Sequence, residues 1–301
     1  MINVTKIKAW LSLMIFSAAW IVISPAVIAS ENKKYHIIKY PKVIDTNLYQ
    51  NQSNYFVDVL KLALDKTGIN YKIEFVNIPS LAQSRSQSLI KQGVYDIHWL
   101  TTSEERESAL KPIRIPLYRG LLGLRIAFIN KTNQDLFANT HNLADLSQFY
   151  SGQGRDWVDT KILNFNRLKL MLASTSPALF DMLRINRIDY VPRSILEIWW
   201  ETELAETSGL AVDPYIALHY PEPVYFFVRN DKTDLHEYVF KGLNIAINDG
   251  SFQKIFNQYF GEYIKKSQLD KRRIFNLINP YLPTKTPLND SRLWHQLSTG
   301  N

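Results

Sequence analysis

Arginine is well suited to grip a carboxylate, because its planar guanidinium can make two parallel charge-assisted bonds. Arg106 ends the stretch Trp99-Leu-Thr-Thr-Ser-Glu-Glu-Arg, in which Thr101 and Thr102 add hydroxyls. Set among Glu104, Glu105 and Glu107, it fits equally well as one charge of a solvated helix face. Gly152-Gln-Gly154 would let a backbone approach a ligand, with Arg155, Asp156 and Trp157 at its mouth, or would form an ordinary turn. Trp157 occupies the place of the third glycine of a dinucleotide fingerprint, which rules out a Rossmann cofactor site. Tyr40, Tyr49, His98 and Trp99 could wall a ligand, although strand alternation sends His98 and Trp99 to opposite faces. With 16 Tyr, 15 Phe and 7 Trp, most aromatics must be core. Arg85 reads as surface charge more readily than as a cleft residue. The six histidines show no HExxH spacing, and there is no Gly-x-Ser-x-Gly elbow or P-loop. No catalytic residue, metal or cofactor is expected.

Such residues need strands and helices to aim them. Tyr35–Lys39 reads as a strand. Phe56, Val59, Leu60 and Ala63 recur at helical spacing, with Asn54 as N-cap and Gly68 as the stop. Tyr71 to Phe75 alternate as a strand, residues 81–92 form a weaker helix, and Tyr95 to Leu100 form a third strand. Thr102 with Glu105 reads as a capping box for a helix from Ser103. Gly120-Leu-Leu-Gly-Leu-Arg-Ile-Ala-Phe-Ile129 is apolar and suits a strand leaving one domain for another. A second strand–helix series follows, with strands at 168–172 and 188–191, a helix through Asn186 with Ser176 as N-cap and Pro177 as its first residue, and an aromatic helix carrying Trp199 and Trp200. A buried strand at 223–228 and helices at 235–247 and 252–260 complete it. Alternation of this kind implies parallel pairing and an α/β fold.

The 301 residues, 46% hydrophobic and 21% charged, can bury a substantial core and suggest two domains. Lys+Arg 35 against Asp+Glu 28 leaves a diffuse +7, and Lys271-Arg272-Arg273 is too short a run to indicate nucleic acid. The absence of cysteine excludes disulfides, thiolate zinc sites, a thiol nucleophile and a lipidated N-terminal Cys. Lys6 and Lys8, an apolar run from Ala9 to Ile23, Pro25 and Val27-Ile-Ala29 make a cleavable secretory signal, which predicts a periplasmic protein.

Gly93-Val-Tyr-Asp-Ile-His-Trp-Leu-Thr-Thr-Ser-Glu-Glu-Arg106, Ile115-Pro-Leu-Tyr-Arg119, Gly152-Gln-Gly154, Asn186-Arg-Ile-Asp-Tyr190 and Asn248-Asp-Gly-Ser-Phe252 resemble, in order and spacing, the type II periplasmic solute-binding proteins of the polar-amino-acid class. The resemblance covers roughly residues 35–262. It implies a two-lobed α/β fold with two crossing strands at the hinge: signal 1–29, lobe one 30–122, lobe two 123–222, a return to lobe one 223–264, and a tail 265–301 packed on a lobe. It further implies that Thr101 and Arg106 hold a ligand carboxylate, with Thr102, Trp99, Tyr40, Gly154, Arg155 and Trp157 around it. The family's acidic partner for a ligand amine falls here at Ser194, beside Arg193. A cation there would repel an amine and favour a second carboxylate. Arg193 could instead pair with Glu197, and Asp156 or Glu197 could replace the missing acid.

A monomer that captures a small polar carboxylate, such as an amino acid, and delivers it to an ABC permease is the leading expectation. A receptor that signals to a separate membrane sensor uses the same closure. A dehydratase on this fold is a third possibility.

Overall fold

The computed structural model describes residues 35–43, 47–79 and 83–297. The secretory signal and the side chain of Tyr49 fall outside that description. Among the described residues no helix is long and apolar enough to cross a membrane.

The first lobe begins with β1 (His36–Val43), α1 (Asn47–Thr67), β2 (Tyr71–Ile78), α2 (Gln83–Lys91), β3 (Ile97–Thr101), α3 (Glu104–Ala109) and β4 (Lys111–Ile113). β1 and β2 pair in parallel, as strands joined by a crossover helix must. α1 starts well before Asn54, which lies inside it, and ends where expected, with Gly68 at φ 69°. On α1, Phe56, Val59, Leu60, Ala63 and Leu64 form one buried stripe, each side chain larger than alanine contributing about 1.5–3 kcal/mol of burial. The cap of α3 is one residue later than expected: the Ser103 hydroxyl accepts from the Arg106 amide.

The second lobe comprises β5 (Leu124–Asn130), α4 (Leu143–Leu146), β6 (Tyr150–Gly154), α5 (Val158–Phe165), β7 (Lys169–Ala173), α6 (Ser176–Arg184), β8 (Tyr190–Ser194), α7 (Ile198–Glu201), β9 (Leu210–Val212) and β10 (Ile216–His219). Gly152-Gln-Gly154 is the end of strand β6 rather than a turn. The N-cap of α6 is Thr175, placing Pro177 in the first turn.

The chain returns through β11 (Val224–Val228), which lies between β3 and β4, then α8 (Thr233–Asn248) and α9 (Ser251–Ser267). α8 and α9 pack Val239, Leu243, Phe256 and Phe260 into the α1 core. Beyond α9, β12 (Arg273–Asn276) rejoins the second lobe beside β10, giving the order β12-β10-β5-β8-β6-β7 with β9 also on β5.

The two crossings, 114–123 and 220–223, touch backbone to backbone. The Tyr220 amide donates to the Gly123 carbonyl at 3.0 Å. A Cβ on Gly123 would stand 1.9 Å from the Tyr220 carbonyl oxygen, so no other residue fits. A third segment runs alongside: the Leu277 amide donates to the His219 carbonyl, and the Asn279 side chain donates to that of Pro221. It then enters the first lobe, where the Thr284 amide meets Glu104 and Trp294 covers Gly120.

Candidate functional site

Strand register brings the relevant strand ends to one level. β11 starts just after the second crossing, and its Val224 pairs with Thr101 at the end of β3. β5 starts just after the first, and its Arg125 pairs with Ser194 at the end of β8. β6 is parallel to β8, so Gly154 ends on the same side. The C-terminal ends of β3, β6 and β8 therefore meet at the crossings, where open α/β sheets place their ligands.

In the first lobe, Gln83 ties Thr101 to Arg106. The Thr101 amide donates to Gln83 Oε1 at 3.0 Å, and Gln83 Nε2 donates to the Thr101 hydroxyl at 3.2 Å. Arg106 Nη1 donates to the same Oε1 at 2.9 Å and to the Thr101 carbonyl. Among the described residues the Nε and Nη2 of Arg106 donate to nothing. Thr102 points elsewhere, its hydroxyl donating to Glu107, which also binds Arg114. Trp99 is half-buried and stacked on Phe56 with ring centroids 4.5 Å apart. Tyr40 is core and lines no cleft, because β1 alternation turns it inward with Ile38, against Phe75 and His98. His98 binds Ser86 at 2.7 Å, and burial lowers its pKa to about 3, so it stays neutral. Arg85 is exposed.

In the second lobe, Trp157 lies over Gly154: a Cβ on Gly154 would come within 2.4 Å of the indole. The Trp157 ring also takes the Arg193 guanidinium, 4.7 Å from a ring centroid. Arg193 itself is buried and doubly held, by Glu201 at 2.5–3.1 Å and by Glu197 at 3.3 Å. The cation expected to receive a second carboxylate is thus already neutralised by protein. The Ser194 hydroxyl donates to the Leu121 carbonyl and is wholly buried. Arg155 is exposed, with its amide bonded to the Ala173 carbonyl. Asp156 is exposed as well.

The sequence reading missed a second charged group, at the crossings. Arg125 reaches Asp159 on the first turn of α5 at 2.6 Å and Glu222 on the second crossing at 3.4 Å, and lies over the Tyr220 ring. The Tyr220 phenol donates to Asp159. Arg125, Asp159, Tyr220 and Glu222 are all buried. The available signal was Arg125 itself, a lone charge in an apolar strand that must find a partner. Glu197 adjoins this group and influences the Tyr118 phenol of the first lobe, whose pKa burial and then its neighbours push up. Among the described residues Glu197 Oε2 accepts no hydrogen bond; it is buried and ion-paired with Arg193 at 3.3 Å, while the side chain as a whole is 27% exposed. Asp159, Glu197, Glu201 and Glu222 thus surround Arg125 and Arg193. Among the described residues no group of three or more His, Asp and Glu is placed to hold a metal.

No family model matches the sequence, and no curated protein matches it. Solved structures do. A probable amino-acid ABC transporter extracellular-binding protein from Bacillus subtilis aligns with a TM-score of 0.58 at 16% identity, over 76% of this chain and 99% of that one. The second substrate-binding domain of a putative amino acid ABC transporter from Streptococcus pneumoniae gives 0.52 at 19%, over 75% and 99%. A histidine kinase sensor domain with similarity to periplasmic binding proteins gives 0.50 at 17%, over 75% and 97%. Strand order, paired crossings and these likenesses agree that the chain has the two-lobed fold of the type II periplasmic binding proteins.

Proposed function

We propose that this protein is a periplasmic receptor that closes its two lobes on a small zwitterionic carboxylate of the amino-acid kind. The observation that carries the reading is a pair of incompletely bonded charges at the crossing level. Among the described residues, Arg106 of the first lobe retains unbonded donors, and Glu197 of the second is 27% exposed and held only by its longer, 3.3 Å ion pair with Arg193. Arg106, with the Thr101 hydroxyl, takes the carboxylate, while Glu197 takes the amine in place of the acid that Ser194 lacks. Pairing of Arg193 with Glu201 removes the repulsion that would oppose an amine there. Trp99 and Trp157 supply apolar surface on either side. Since each lobe holds part of the ligand, binding favours the shut state. Delivery to an ABC importer fits the transport proteins that share the fold, and signalling to a separate membrane sensor fits the kinase sensor domain.

The test is a thermal-shift screen of protein unfolded and refolded to strip any ligand, against amino acids, dicarboxylates, oligopeptides and small sugars. A ligand at about 100 times its Kd stabilises the fold by about 2.7 kcal/mol, a shift of a few degrees. An amino acid is expected to shift the melt. Arg106→Ala should then weaken its binding by about 2–5 kcal/mol. Glu197→Gln should weaken the amino acid and spare its deaminated analogue. Unchanged affinity in Arg106→Ala, measured by calorimetry, overturns the carboxylate assignment.

A further inference from the structure

At the junction of the two crossings, more buried acid is gathered than buried base. Around Glu222 stand Arg125 and Tyr220 from the crossings and β5, Asp159 from α5, and Glu197 from the loop after β8. Arg193 of β8 adjoins them and is bound to Glu201 of α7 and to Glu197. Asp159 and Glu222 therefore share one guanidinium, and it favours Asp159, 2.6 Å away against 3.4 Å. The Tyr220 phenol also donates to Asp159, which leaves Glu222 the poorer partnered of the two. Glu222 is 5% exposed and packs its Cβ where Gly123 of the other crossing has no side chain. Water cannot dissipate a second negative charge in such a place without the crossings separating.

We propose that the hinge holds Glu222 protonated beside the Asp159 carboxylate at neutral pH, and that losing this proton as the pH rises loosens the two crossings and opens the lobes. The proposal concerns the ligand-free hinge and needs no bound solute. Burial, with Asp159 next, raises the Glu222 pKa to about 8, against 4.5 for an ordinary glutamate. The folded state thus binds more protons than the unfolded state between these values. The stability contributed is fully present below pH 4.5 and is lost as the pH rises through about 8.

The experiment follows the side-chain carboxyl carbons of Asp159 and Glu222 by 13C NMR in the purified ligand-free chain from pH 5 to pH 9, with small-angle scattering on the same samples. The Glu222 carboxyl should titrate near neutrality or above, and the radius of gyration should rise over the same interval. Glu222→Gln, which keeps the shape and removes the titration, should abolish that rise. The proposal is overturned by a Glu222 carboxyl ionised throughout, by a radius that stays constant while that carboxyl titrates, or by an unchanged rise in Glu222→Gln. Should the variant not fold, the wild-type titration and scattering still decide it.

Discussion

Arg106 and Arg193 both stand at or just past the end of a strand at the crossings, yet their removal should have different effects. Arg193 is buried and holds the Glu201 carboxylate with two nitrogens; burial already raises the Glu201 pKa despite that cation. Arg193→Ala leaves that carboxylate unpaired and should cost about 3–5 kcal/mol of stability in a urea melt. Arg106 makes its protein bonds to groups that also bond each other, so Arg106→Ala should cost no more than about 1 kcal/mol. A cost for Arg106 as large as that for Arg193 would mark it as a structural residue. The difference between the two was partly legible in the sequence. Glu197 and Glu201 follow Arg193 at intervals of four, which advertises pairing. The partners of Arg125 come from residues 159 and 222, and nothing local joins them. Tyr40 lies in the core rather than along a cleft because its place in β1 turns it inward with Ile38, and nearness to a strand end does not give the face a side chain takes.

Helices α1, α8 and α9 were readable from apolar spacing, and two mid-helix glycines separate intrinsic preference from packing. Gly242 of α8 lies against α1 so closely that a Cβ there would stand 1.8 Å from the Ala63 carbonyl oxygen. Gly261 of α9 has only the Asn257 Cβ, at 4.0 Å. Gly261→Ala should therefore stabilise by about 0.5–1 kcal/mol through helix preference alone. Gly242→Ala must push α8 off α1 and should destabilise by about 1–3 kcal/mol. Thermal melts of the two variants moving in the same direction would refute the close approach. Strands were harder to read than helices. β10 and β12 are four residues each, and their pairing is decided by partners more than fifty residues apart. Propensity within so short a window cannot outweigh that choice. The early start of α1 and the one-residue displacement of two caps have the same cause: several adjacent polar residues can cap, and packing selects among them.

The order of strands and helices was enough to anticipate two lobes, because parallel pairs with crossover helices leave few alternatives. A third connection between the lobes was not anticipated. Residues 277–297 carry prolines and few apolar repeats, so their structure rests on single long-range bonds that no local pattern announces. Asn166 holds both the amide and the carbonyl of Ile278 in the second lobe. Arg119 donates to the carbonyls of Arg292 and Trp294 in the first, and the Trp294 indole donates to Pro287. Any opening of the lobes must bend this strap as well as the two crossings, so its anchorage sets how far they part. The Trp294 indole is an apolar anchor beside the buried Leu293, half-buried on Gly120, and Trp294→Ala should cost about 2 kcal/mol, less than a fully buried tryptophan. Hydrogen exchange gives the sharper readout. The Leu293, Trp294 and His295 amides, each bonded in the native tail, should lose protection in the variant. The β12 amides, held by β10 in the second lobe, should keep theirs. Equal loss in both would mean the tail unfolds as one unit with the lobe it leaves, and no loss would mean that Arg119, Glu104 and Leu293 hold the strap without the indole.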